Sequence, residues 1–121
     1  MKEEQKLLEL LNAWEETYKK GQLTLWIFLS LQEGYKYVDE IKDFIVLKSK
    51  GSITCEEQSL YRALRKFEYI DVLKYELRKG NKGPERKYYY LTSLGQTLFE
   101  QFVKRNIHLF YSEEIKNLIK F

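Results

Sequence analysis

One cysteine, one histidine and one proline stand among the 121 residues. The lone Cys55 has no intramolecular disulfide partner, which points to a reducing, cytoplasmic setting. His108 and Cys55 are too few for a His-rich metal site or for a Ser/Cys–His catalytic arrangement within one chain. The sequence holds neither a phosphate loop nor a GxSxG motif. No enzymatic activity, cofactor or metal is therefore expected. Long apolar runs are also missing. The longest, LTLWIFLSL at 23–31, is about half of what a bilayer requires. The opening MKEEQ is charged and leads into an amphipathic segment, which is not the layout of a signal peptide. No membrane partner is expected.

What is present suits one folded domain: 44% hydrophobic, 32% charged and 16% aromatic residues, with ten tyrosines. The net charge of +3 is unevenly spread. Residues 48–87 hold eleven basic and six acidic side chains, a net +5, whereas the remainder holds ten and twelve, a net −2. A cationic middle third is the electrostatic footprint of a polyanion-binding surface.

Periodicity organises the chain. Residues 4–20 set Leu7, Leu10, Leu11, Trp14 and Tyr18 at helical spacing, and Gly21 stops that helix. A second helix is expected over Gln22–Glu33, apolar on nearly every side and hence central to the core. A third spans Tyr37–Leu47 and buries Val38, Ile41, Phe44 and Ile45. Thr54 and Glu57 have capping-box spacing ahead of a fourth helix over Cys55–Tyr69. Its first turn would place Cys55 where a helix dipole lowers a thiol pKa. Leu60, Ala63, Leu64 and Phe67 form one stripe of this helix; Gln58, Tyr61, Arg62 and Arg65 form the opposite one. The runs VLKYELRK (72–79) and ERKYYYL (85–91) read as strands joined by GNKGP, a turn segment. A fifth helix over Leu94–His108 is capped by Thr92 or Ser93, with Ser93–Gln96 as an alternative box. Ser112, Glu113 and Glu114 continue or restart it toward Phe121.

Three helices ending in a polar-faced one, followed by a two-stranded ribbon, define a winged helix-turn-helix in which one helix enters the major groove. The fold class expected is mainly α with a small β-hairpin, with extra helices at both ends. Its parts are an N-terminal helix (1–20), a winged helix-turn-helix (21–92) and a C-terminal helix (93–121).

The segments KGQLTLWIFLSLQEG (20–34), SLYRALRKFE (59–68) and GPERKYYYLTSLGQ (83–96), in that order, resemble the PadR family of transcriptional regulators over about residues 20–103. Two departures stand out. Val38 and Asp39 replace the glycine and aromatic residue that usually precede the third-helix glutamate, and Asp71 replaces a glycine after the fourth helix. The chain ends soon after its C-terminal helix, as in the short members. The resemblance implies a homodimer that binds a palindromic operator, usually as a repressor, with the terminal helices forming the interface. Leu7, Leu10, Leu11, Trp14, Tyr18, Phe99, Phe102, Val103, Ile107, Phe110 and Leu118 supply more apolar surface than one small domain needs.

The candidate contacts with double-stranded DNA follow. Arg62 and Arg65 suit bidentate pairing with guanine, Gln58 suits adenine, and Tyr61 suits a phosphate. Ser59 and Lys66 lie at the edges of the same row. In the wing, Lys79, Lys82, Arg86 and Lys87 surround a turn made tight by Gly80 and Gly83 and stiff by Pro84. Of the tyrosine triplet, Tyr89 shares a strand face with Leu91, while Tyr88 and Tyr90 share the other. Some members of the family bind flat hydrophobic drugs between interface aromatics, which marks Trp14 for a small hydrophobic effector. Two rival readings remain open: a winged helix that binds another protein, and a carrier of hydrophobic ligands in the dimer interface.

Overall fold

The computed structural model describes residues 2–79 and 83–120. Its first element, α1 (Lys2–Lys19), has acidic Glu3 and Glu4 in its first turn and Lys19 in its last, which complements the helix dipole. None of its residues is buried. The core begins with α2 (Gln22–Leu31), whose Ile27, Phe28 and Leu31 face α3 (Val38–Lys48) through Val38, Ile41 and Ile45. Next, α4 (Glu57–Tyr69) adds Leu60, Leu64 and Phe67. Phe28 joins two elements to α2, with its ring centre 5.3 Å from that of Phe67 and 6.4 Å from that of Phe99. Burying each such side chain contributes about 1.5–3 kcal/mol, enough to hold three short helices that would be marginal alone.

The hairpin consists of β1 (Leu73–Lys79) and β2 (Glu85–Leu91), antiparallel, with Leu73 opposite Leu91 and Tyr75 opposite Tyr89. Its inner end closes the core through Leu73 and Tyr89. Beyond β2 the segment before α3 adds a further bridge: Lys36 N donates to Tyr89 O at 3.1 Å, and Tyr89 N donates to Lys36 O at 2.8 Å. Then follow α5 (Ser93–Asn106), a 3₁₀ turn (His108–Tyr111) and α6 (Glu113–Ile119). The arrangement is mainly helical, with the winged helix-turn-helix order expected from the sequence.

Several local expectations need correction. The Thr54–Glu57 capping box does not form; α4 starts at Glu57 after Glu56, which makes no side-chain cap. The reason lies upstream. Ile53 is buried, and its N–H donates to the Ser49 hydroxyl at 3.0 Å, which ties the chain just before Thr54 to the end of α3. The second helix ends at Leu31, two residues early. The third gains its cap from Glu40, whose carboxylate accepts from Tyr37 N at 3.2 Å. Phe44 is only half-buried and lies near the ammonium of Lys36, 5.7 Å from the ring centre. Thr92, not Ser93, caps α5 by accepting from Gly95 N at 3.1 Å. Gln96 instead donates to Gln32 and to Glu100. The segment 93–121, expected as one C-terminal helix, is divided. The chain tightens after Ile107 and restarts at Ser112, whose hydroxyl accepts from Ile115 N at 3.4 Å.

Candidate nucleic-acid interface

The sequence of α4 separates its two faces. Leu60 and Leu64 are fully excluded from solvent, whereas Gln58, Tyr61, Arg62, Arg65 and Lys66 are exposed and Ser59 is half-exposed. Helical spacing places Gln58, Tyr61, Arg62 and Arg65 in one outward row. In the wing, Lys79, Arg86 and Lys87 are exposed. Gly83 has φ +135°, a backbone conformation that side chains rarely adopt, so the glycine is required there. Lys82 and Gly80 lie outside the described residues.

The two groups meet at an open cavity of about 250 Å³. It is lined by Tyr37, Val38 and Asp39 at the start of α3, Tyr61 of α4, and Glu85, Arg86, Lys87 and Tyr89 of β2. Tyr61 of the helix row and Arg86 and Lys87 of the strand therefore border one concave surface, whereas Gln58, Arg62 and Arg65 are not part of its lining. Two carboxylates, Asp39 and Glu85, border it as well. Among the described residues no carboxylate forms an ion pair with Arg62, Arg65, Lys66, Lys79, Arg86 or Lys87. Their N–H groups are thus not taken up by carboxylates, and the N–H edges of Arg62, Arg65 and Arg86 have the geometry for bidentate pairing with anions.

The tyrosines divide as the strand alternation requires. Tyr89 is 3% exposed and belongs to the core. Burial pushes its hydroxyl up to about 12, assisted by nearby Glu68, Tyr61 and Tyr75, so it stays protonated at neutral pH. On the opposite face Tyr90 packs on Tyr35 at 4.8 Å and Tyr88 on Tyr37 at 5.4 Å, between ring centres. Lys87 lies over the ring of Tyr75 at 4.5 Å. Sequence reasoning passed over Tyr35, Tyr37 and Tyr75. The period-two spacing of Tyr35 and Tyr37 was the available signal, since it is a strand pattern, although Tyr37 was read as the first residue of a helix.

The remaining candidates lie elsewhere. Leu7, Leu10, Leu11, Trp14 and Tyr18 are all exposed, Trp14 most of all at 74%. Phe102 and Phe110 are exposed, Val103 and Ile107 half-buried, and Phe99 packs against Phe28. Trp14 borders a shallow groove with Leu11, Glu15 and Tyr18. A separate apolar cavity of about 230 Å³ lies between α2 and α5, lined by Leu25, Phe28, Leu98, Phe99 and Phe102 among others. Cys55 precedes α4 instead of lying in its first turn, and partial burial pushes its thiol pKa up, opposite to the shift that a reactive thiol requires. Among the described residues there is no group of three or more metal-ligating side chains. No helix among them is long and apolar enough to cross a membrane.

Comparison with known proteins follows the same lines. The pattern of the transcriptional regulator PadR-like family matches residues 27–101. A PadR-like transcription factor from Bacteroides fragilis is 27% identical, with a TM-score of 0.66 over 88% of this chain and 98% of the other. A PadR-like transcriptional regulator from Bacillus cereus is 25% identical, with a TM-score of 0.67 over 87% and 98%. The chain also shares its fold with Bacillus subtilis PadR solved in complex with operator DNA. That likeness has 17% identity and a TM-score of 0.61, over 67% of this chain and 46% of that one.

Proposed function

The chain belongs to the PadR-like family of transcriptional regulators, which are not enzymes, and from that premise we propose that it is a homodimeric repressor of a palindromic operator. In this reading α4 enters the major groove of each half-site. Arg62 and Arg65 read guanine, Gln58 reads adenine, and Tyr61, Ser59 and Lys66 hold the adjoining backbone. Lys79, Lys82, Arg86 and Lys87 of the wing neutralise flanking phosphates. The observation that carries the reading is the shared concavity, since Tyr61 from the helix and Arg86 and Lys87 from the strand border it together. The operator complex of a protein with the same fold supports it.

Dimerisation is supported by α1, an 18-residue helix with no buried residue and six large apolar side chains exposed along it, Leu8 besides the five of the expected stripe. An apolar face of this kind is stable in water when a second surface covers it. The exposed Phe102 and Phe110 extend the same argument to the C-terminal segment. The groove beside Trp14 is the proposed seat of a small hydrophobic effector. The full chain, used to select duplexes from a random pool, should enrich an inverted repeat whose half-sites lie about one helical turn apart. Enrichment of no sequence, or of one without two-fold symmetry, rejects the dimeric operator reading.

A further inference from the structure

The hairpin arginines each lie over a ring from the segment before α3, and Arg78 also lies over a ring of the hairpin itself. The guanidinium of Arg86 lies over the ring of Tyr37, 4.5 Å from its centre. Arg78 lies between two rings, 4.6 Å from the centre of Tyr35 and 4.9 Å from that of Tyr88. Tyr35 and Tyr37 precede α3, and the bridge between Lys36 and Tyr89 brings them to the face of β2 that carries Arg86 and Tyr88. The two arginines differ in charge balance. Arg78 donates to the carboxylate of Glu76 at 2.5 Å and is neutralised. Arg86 is unpaired among the described residues, although Asp39 and Glu85 border the same cavity.

A guanidinium stacked on a ring uses its face and leaves its N–H edges free to donate in bidentate fashion to two oxygens of a phosphate. Stacked on Tyr37, Arg86 forms no ion pair with either of the two carboxylates that border the cavity. We propose that Tyr37 is a positioning residue that aims Arg86 at a DNA phosphate, so that DNA affinity depends on the segment between α2 and α3. This rests on the DNA-binding reading above. Removing the ring lets Arg86 move among many rotamers and reach Asp39 or Glu85, and both effects weaken binding.

The test measures the affinity of full-length protein for a fluorescent random-sequence duplex at low salt. Tyr37→Leu and Arg86→Ala should each weaken binding, the former about fivefold for a dimer losing one stack in each protomer. Tyr37→Phe keeps the ring and should stay within about twofold of wild type. In the double variant Tyr37→Leu should add nothing to Arg86→Ala, because the interaction it serves is already gone. A Tyr37→Leu loss that persists in the Arg86→Ala background overturns the proposal, as does wild-type affinity in Tyr37→Leu. In either of those cases weakening by Arg86→Ala leaves the DNA-binding reading standing. Failure of the wild type to bind any duplex removes both. Should Tyr37→Leu fail to fold, the Nε–H resonance of Arg86 in the wild type decides. It should be shifted by the ring current in the free protein and remain so in the complex; loss of that shift on binding overturns the proposal.

Discussion

Replacing Gly95 by alanine adds one methyl group where the chain has no room for it. A Cβ at this position would lie 1.9 Å from Val72 O, 2.9 Å from Val72 C and 3.2 Å from Leu91 Cδ2. Non-bonded heavy atoms reach their best separation near ~3.5 Å, so α5 must retreat by about 1 Å or more. The obstacle is backbone and cannot rotate away. Overpacking of this kind costs about 2 kcal/mol. The retreat also breaks the bonds that anchor the helix: Thr92 N to Val72 O at 3.2 Å, and the Thr92 hydroxyl to Asp71 O at 2.7 Å. Each is worth about 1 kcal/mol, which brings the loss to about 4 kcal/mol. An unfolding entropy of about 0.25 kcal/mol/K for a chain of this length converts that into a Tm drop of about 15 °C. Calorimetry at one fixed protein concentration reads it, since the Tm of any self-associating protein depends on concentration. Gly21→Ala is the control. Gly21 has φ +80° and nothing within 4 Å of the added atom, so only strain of about 1 kcal/mol, or about 4 °C, is expected. Equal drops for the two variants, or a Gly95→Ala protein that melts within about 3 °C of wild type, would refute the close-contact argument.

Three further outcomes are expected. Asp71 has φ +64° just after α4, so Asp71→Gly should relieve strain and raise stability by about 0.5–1 kcal/mol in chemical denaturation, where a decrease would contradict it. Tyr89 keeps its proton to about 12 in the fold but releases it near ~10 when unfolded. The unfolded state binds fewer protons between those values, so stability falls as pH rises through them and is intact below. The alkaline loss should be shallower in Tyr89→Phe, and equal slopes for the two proteins would refute the shift. Arg62→Ala should cost about 1–3 kcal/mol per half-site on a selected duplex and far less on random sequence, as read by fluorescence anisotropy. Equal losses on both would assign Arg62 to the backbone.

How far the sequence disclosed this depends on the range of the interactions involved. The two faces of α4 were legible because Leu60, Leu64 and Phe67 repeat at helical spacing against Gln58, Tyr61, Arg62 and Arg65, and local periodicity survives folding. The hairpin was legible for a similar reason, with β-favouring runs on either side of GNKGP. The Ser112 cap was legible because it is contained within four residues. The start of α4 was misread because burial of Ile53, a tertiary demand, outweighed the weak local preference of Thr54 for a cap. The stacked tyrosines were hidden for a stronger reason. Tyr35 and Tyr37 meet Tyr90 and Tyr88 only through the bridge between Lys36 and Tyr89, and nothing in either segment specifies that pairing. The apolar stripe of α1 was read from its spacing, and Leu7, Leu10, Leu11, Trp14 and Tyr18 are exposed in the single chain.

The central claim is that the α4 face and the wing cations act as one surface for duplex DNA. The most direct measurement is the salt dependence of duplex binding by the full-length protein. Counting three of the named cations in each protomer as phosphate contacts, Arg86 and Lys87 among them, gives a dimer a slope of log K against log salt of about −5, and removing Arg86 and Lys87 together should reduce it to about −2. Binding that ignores salt, or a slope unchanged by Arg86→Ala with Lys87→Ala, would contradict it.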